Sequence, residues 1–338
     1  WAAILAQAQF RFGLTGFLPA WSRIRGIQRT EVGNCVVMSA REGVDIIDAW
    51  MQHPTKRHLT HEMFHSLLRW NRMPVEMMES DECPLYDPKT TLASMDSGGV
   101  AVGVLSAWYG PEGGLISNGD ALSLCRLYPL RFRALASCDI RKPAEGLDEL
   151  RKYFSLPEGF FVGVRILPWL WERHATDRLF YPLFAECCRL DVPLCLQVGQ
   201  TGPLRPSDVG RPIPYLEQVL LDFPTLRVVA GHIGSPWTGE MLFLCRKFPN
   251  LFIDTSAYTP ERYPPELVEF MRSKQGRSRV LYGSNYPMIH HRTIYDQLEK
   301  LNLDPETQRL FLRENAERVF KLGKLSAAAM TVTPPARL

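Results

Sequence analysis

Eight short apolar runs, each followed by a polar loop and a helix-like stretch, restrict the fold of this chain more than any other feature. They are VDIIDAW (44–50), VAVGVLSAW (100–108), RFRALASCDI (131–140), GFFVGVRILP (159–168), VPLCLQVG (192–199), LRVVAGH (226–232), NLFIDTSAY (250–258) and SRVLYGSN (278–285). Near-continuous apolar character is what strands covered on both faces need, as in a parallel sheet. Helical patterns lie between them, among them DALSLCRLYPL (120–130), DRLFYPLFAECCRL (177–190), PYLEQVLLDF (214–223) and PELVEFMRS (265–273). A final helix is expected over 304–322, with Asp304 and Pro305 as N-cap and first-turn residues. Eight such units predict an α/β fold, a (β/α)8 TIM barrel. An open doubly wound sheet would carry a glycine-rich turn after its first strand, and DAWMQHP is not one. The expected division is an N-terminal extension over 1–42, the barrel over 43–325 and a C-terminal tail over 326–338.

Composition excludes several classes of partner. A net charge of +3 in 338 residues, with dispersed basic residues, argues against nucleic acid and against a membrane surface. No uninterrupted apolar run reaches the roughly 18 residues of a transmembrane helix. None of the eight cysteines forms a CxxC pair and several lie in apolar runs, which suits free thiols in a reducing cytoplasm. The expected partner is a small-molecule substrate, and a homodimer is left open.

In a barrel, chemistry resides where strands run out into their following loops. Those positions hold Trp50, Gln52 and His53; Trp108 and Tyr109; Arg165; Gln197 and Gln200; His232; Asp254, Ser256 and Tyr258; and Ser284, Asn285 and Tyr286. Period-two alternation places Asp48, Trp50 and Gln52 on one side of their strand. His232 is the leading candidate for acid–base work, because imidazole titrates near neutrality. His53 either faces the mouth or braces its loop. Arg165 ends an apolar strand and calls for a carboxylate, from a substrate or from an internal group such as Asp254 or Asp177. Trp50, Trp108, Trp237, Tyr258 and Tyr286 would line an aromatic pocket in which Trp50 and Trp237 could wall a planar substrate, while Arg205 and Arg211 read as solvated loop charges. The segment HEMFH (61–65) spells the HExxH of zinc peptidases, but Leu68 stands where the extended motif needs glycine. Surface histidines on a polar loop are the expected reading.

The phrases IIDAWMQHP, GVRILP, YPLFAECCRLDVPLCLQVG, VVAGHIGSPW, LFIDTSAY, VLYGSNYP and ENAERVF occur in an order that resembles amidohydrolase family 2. That branch includes aminocarboxymuconate-semialdehyde decarboxylase, resorcylate decarboxylases and pyrone-dicarboxylate lactonases. The resemblance runs from about Asp45 to Lys321. It implies a metal held by a His-x-His pair after the first strand, a His after the fifth, a His after the sixth and an Asp after the eighth. Here those positions fall on Trp50 and Gln52, on Gln197 (or Gln200), on His232 and on Asn285. Indole cannot ligate and amides are weak ligands, so no metal and no cofactor are expected, with a divalent metal such as zinc as the alternative. The resulting expectation is metal-independent acid–base chemistry on a small carboxylate- or carbonyl-bearing compound. Hydrolysis of a lactone or C–C bond comes first, and decarboxylation or cyclisation/isomerisation is next. A non-catalytic barrel that binds a ligand or partner protein is the competing class. His232, Asn285 and His53 are the expected catalytic residues, with Trp50, Gln52, Arg165, Gln197, Gln200, Trp237 and Tyr258 around the substrate.

Overall fold

The computed structural model describes residues 45–63 and 74–323. The N-terminal extension, the C-terminal tail and His65 of the HEMFH segment lie outside them. The strands are β1 (Ile46–Met51), β2 (Val100–Ser106), β3 (Trp108–Gly110), β4 (Gly113–Ile116), β5 (Phe132–Ala136), β6 (Phe161–Ile166), β7 (Leu194–Gln197), β8 (Val228–Gly231), β9 (Leu251–Asp254) and β10 (Val280–Leu281). Eight of them form one parallel sheet in the order β1-β2-β5-β6-β7-β8-β9-β10. Each falls inside one of the eight apolar runs, except that β1 extends one residue further, to Met51. β3 and β4 form a separate antiparallel hairpin between Trp108 and Ile116, beyond the apolar run that ends at Trp108.

The sheet closes on itself. Ala49 N–H donates to Tyr282 O at 2.9 Å, Asn285 N–H to Trp50 O at 2.7 Å and Gln52 N–H to Tyr286 O at 3.1 Å. A parallel bridge joins Met51 to Tyr286. Along each strand the side chains alternate between two apolar layers. Val228 and Ala230 belong to a large cluster that includes Phe180 at a helix N-cap and the helical residues Phe184 and Leu267. Val229 belongs to a smaller one with Ile47, Ala49, Val102, Val104, Leu135, Cys195, Phe252 and Leu281. The first is the sheet–helix layer and the second fills the barrel interior, as the two-fold period of a strand requires. The last helical stretch starts as expected, with Asp304 Oδ1 accepting from the N–H groups of Glu306 and Thr307.

At β1 the alternation breaks, and the expected grouping of Asp48 with Trp50 and Gln52 is wrong. The register between β1 and β2 shifts between Asp48 and Met51. Asp48 turns to the helix layer, where Oδ2 accepts from His291 Nε2 at 2.9 Å and from the Ser284 hydroxyl. Its Oδ1 accepts from the N–H groups of Trp50 and Ser284, both at 3.0 Å. The other nitrogen of His291 meets Ser94 Oγ at 2.9 Å. Asp48 and His291 are both fully buried. One carboxylate therefore ties the first strand, the last strand and two helices together, and its bond to Trp50 N–H redirects the indole toward the mouth.

Removing one partner from a buried network costs more than the network contributes, because the others are left unsatisfied. Asp48→Ala strands four donors, so the urea midpoint should fall by the equivalent of about 3–5 kcal/mol at unchanged m-value. A loss below about 1 kcal/mol would show that the seam does not depend on this carboxylate.

Candidate active site

The C-terminal ends of consecutive strands deliver a set of polar groups to one mouth: Arg165 from β6, Gln197 from β7, His232 just after β8, Asp254 from β9, Asn285 after β10, Trp50 from β1 and Gln52 just after it. Arg165 is fully buried. Its Nε donates to Ser106 Oγ at 3.2 Å, while Nη1 and Nη2 have no protein partner. The guanidinium lies 3.2 Å from the centroid of the Trp50 ring. Burial lowers the Arg165 pKa to about 10, which leaves it a cation at neutral pH. The internal carboxylate expected for it is not in place. Asp177 pairs with Arg173, and Asp254 Oδ2 is itself buried without a partner.

Asp254 instead serves a relay. Its Oδ1 accepts from the N–H of Ser256 at 3.0 Å and from the Ser256 hydroxyl, and Ser256 Oγ lies 2.6 Å from His232 Nδ1. Burial pushes the Asp254 carboxyl up, against Arg165 and Ser256, which pull it down. Burial, with Arg165 adding to it, lowers the His232 pKa to about 3, so the ring is neutral. If Asp254 is ionised, the Ser256 proton points to it, His232 carries its proton on Nδ1, and Nε2 is a bare acceptor. If Asp254 holds the proton, the chain reverses and Nε2–H becomes a donor. His232 and Asn285 both take left-handed backbone, with φ of 65° and 61°. For a residue with a side chain this conformation costs about 1–3 kcal/mol and is typical of functional strand ends.

The other predicted residues divide into neighbours and outliers. Gln52 Nε2 donates to Asn285 Oδ1 at 3.1 Å, while its Oε1 is buried and unpartnered, as is Gln197 Oε1. Gln200 is exposed and donates to the Tyr258 hydroxyl at 3.1 Å, so this pair forms an outer rim. Trp237 faces Arg211, whose guanidinium carbon is 5.9 Å from its ring centroid. His53 is tied at both ring nitrogens, to Thr91 Oγ1 at 2.8 Å and Tyr86 O at 3.2 Å, a bracing arrangement. Of the HEMFH histidines, His61 pairs with Glu112 at 3.0 Å. His58, three residues before that segment, is buried edge-on to Trp108 with centroids 4.8 Å apart. Ser256 had no assigned role in the sequence, although its spacing two residues beyond Asp254 was visible there.

Above the polar groups lies an aromatic and aliphatic plug of Trp50, Trp108, Leu115, Ile116, Leu167, Trp169, Leu170 and Val209. Beyond it a cavity of about 220 Å³ opens between the β3–β4 hairpin, the loop after β6 and Arg205. Arg205 pairs with Glu172 at its rim, and Arg211 with Glu240.

The model of the amidohydrolase family matches residues 47–322. This chain belongs to that family. Solved structures agree on the fold. An uncharacterised TIM-barrel protein from Bordetella bronchiseptica aligns at TM-score 0.69 and 23% identity, covering 82% of this chain and 98% of that one. The 5-carboxyvanillate decarboxylase of Novosphingobium aromaticivorans, solved with manganese and 4-hydroxy-3-methoxy-5-nitrobenzoic acid, gives TM-score 0.62 at 17% identity, covering 83% and 97%. The 2,6-dihydroxybenzoate decarboxylase from Rhizobium gives TM-score 0.60 at 18% identity, covering 82% and 98%.

The manganese in the Novosphingobium structure corrects the expectation that a barrel of this kind needs no cofactor, and that expectation is withdrawn. The residues at this mouth nonetheless do not fit a divalent ion. Trp50 has no lone pair to offer, His232 Nδ1 is engaged by Ser256, and Asn285 Oδ1 accepts from Gln52. A guanidinium already lies against the indole. Among the described residues, no group of three or more His, Cys, Asp or Glu could hold a metal ion.

Neutral histidines with pKa values near 3 carry a stability consequence. Unfolded imidazole takes its proton near pH 6.5, whereas burial keeps His232 and His58 unprotonated in the folded state down to about 3. The unfolded chain thus binds more protons in that interval, and stability falls as pH drops through it. A His232 ring resonance, assigned by its loss in His232→Asn, should show no titration between about pH 5 and pH 8. A midpoint near 6.5 would contradict the described environment.

Proposed function

We propose that this barrel is a lyase that removes carbon dioxide from a small, planar aromatic carboxylate. The observation that carries the reading is Arg165, a fully buried cation whose two Nη groups are unpartnered, beside a neutral histidine backed by a hydroxyl and a carboxylic group. The decarboxylases of aromatic acids among the similar structures support it. This reverses the sequence-based order, in which hydrolysis came first.

Two parallel N–H groups match a carboxylate in a bidentate pair, and a desolvated site strengthens that pairing. Arg165 thus orients the acid beside His232. In decarboxylation the ring-to-carboxylate bond breaks, its electron pair stays on the ring carbon, and that carbon takes a proton as carbon dioxide leaves. His232 supplies the proton from the nitrogen turned away from Ser256. Its Nδ1 recovers a proton from the Ser256 hydroxyl, which is replenished in turn by Asp254. The charge thereby left on Asp254 is held near Arg165. Gln52, Gln197 and Asn285 present amide groups to ring substituents.

The test is a panel of hydroxylated and methoxylated benzoates incubated in deuterated, manganese-containing buffer. Carbon dioxide release with one deuterium at the vacated ring carbon is expected. His232→Asn should lower kcat by about 10²–10⁴-fold. Arg165→Met should lower kcat/KM by about a hundredfold, chiefly through KM. Hydrolysis of a lactone panel with no decarboxylation would instead restore the hydrolase reading and sink this one.

A further inference from the structure

The mouth is closed by Trp50. Its indole is fully buried, 3.2 Å from the guanidinium of Arg165 on one side and with the His232 ring centroid 4.5 Å away. The backbone makes room for it. A Cβ on Gly231 would sit 2.1 Å from the indole Cζ3, so any side chain there would expel the ring. Yet the indole does not cover an apolar wall. Arg165 Nη1 and Nη2, Asp254 Oδ2 and the indole's own Nε1 are all buried without partners. Stacking on an aromatic face recovers only part of what a guanidinium loses on leaving water. An aromatic carboxylate would offer both a face and a matched pair of acceptors.

We propose that Trp50 is an exchangeable cover on Arg165. An aromatic acid enters by taking the indole's place over the guanidinium, so this one side chain sets access to the site and its preference for flat aromatic acids over aliphatic ones. The proposal rests on the reading that Arg165 receives a carboxylate. The displaced indole has somewhere to go. It packs in one cluster with Leu115 and Leu170, and those two residues also line the cavity of about 220 Å³. Close-packed interiors resist such a swing, whereas a side chain one layer from unfilled space does not have to move a whole core.

The experiment is stopped-flow binding to the full chain, with benzoate and acetate as probes. In the wild type the observed rate should level off at high benzoate, because departure of the indole limits entry. In Trp50→Ala it should rise linearly, and acetate should bind about tenfold tighter than to the wild type. Trp50→Phe, which keeps an aromatic face and the fold, should fall between them and carries the test if Trp50→Ala does not fold. Linear wild-type rates, with an unchanged benzoate-to-acetate preference in both variants, would overturn the cover. Arg165→Met separates the two failures. If it abolishes benzoate binding while the Trp50 variants behave as wild type, only the cover falls. If benzoate binding survives Arg165→Met, the carboxylate reading falls and the cover falls with it.

Discussion

A guanidinium removed from water and given no carboxylate is expensive to keep, and the mouth of this barrel is organised around that expense. Arg165 reaches its position from the end of β6, held by one bond to Ser106 and by the face of Trp50. The indole can lie there because Asp48 bends the end of β1 and because Gly231 has no side chain. Asp48 in turn is fixed by His291, Ser284 and, through His291, Ser94. The element that closes the barrel therefore also aims the aromatic ring that covers its cation. Fold stability and site geometry are coupled at one carboxylate.

The same cation shapes the acid–base groups around it. A positive charge beside His232 disfavours a second one, which adds to burial in keeping the imidazole neutral. It also draws the Asp254 carboxyl down against the upward push of burial. The Asp254–Ser256–His232 chain thus has two arrangements, which differ by one bound proton, in the direction of the Ser256 hydroxyl and in the histidine tautomer. A site that must give a proton to carbon and later recover it passes between the two. That logic derives from residues at the ends of β6, β8 and β9 and needs no sequence motif.

The barrel was legible in the sequence because parallel strands buried on both faces leave long apolar runs with helices between them, and all eight runs contain a strand. The final helix announced itself through Asp304 and Pro305. What the sequence did not show were features that depend on a break in periodicity or on contacts between distant segments. The shift at β1 undoes the two-residue period that grouped Asp48 with Trp50. The β3–β4 hairpin lies in a glycine-rich stretch that carries no strand pattern. Ser256 becomes meaningful only when Asp254 and His232 are seen to flank it, and His58 is buried by Trp108, some fifty residues away in the chain. The cofactor-free expectation failed differently. It argued from which ligands this chain lacks, whereas a similar barrel was solved with manganese.

The most direct measurement is a crystal structure of the protein with an unreactive aromatic acid, such as a nitro-substituted benzoate, grown in the presence of manganese. The carboxylate should lie within hydrogen-bond distance, about 3 Å, of both Arg165 Nη atoms, with the indole of Trp50 displaced and the His232 ring beside the ring carbon. A ligand lodged only in the outer cavity between His61, Glu112 and Arg205, with Trp50 still stacked on Arg165, would contradict the assignment of this mouth as the place of reaction.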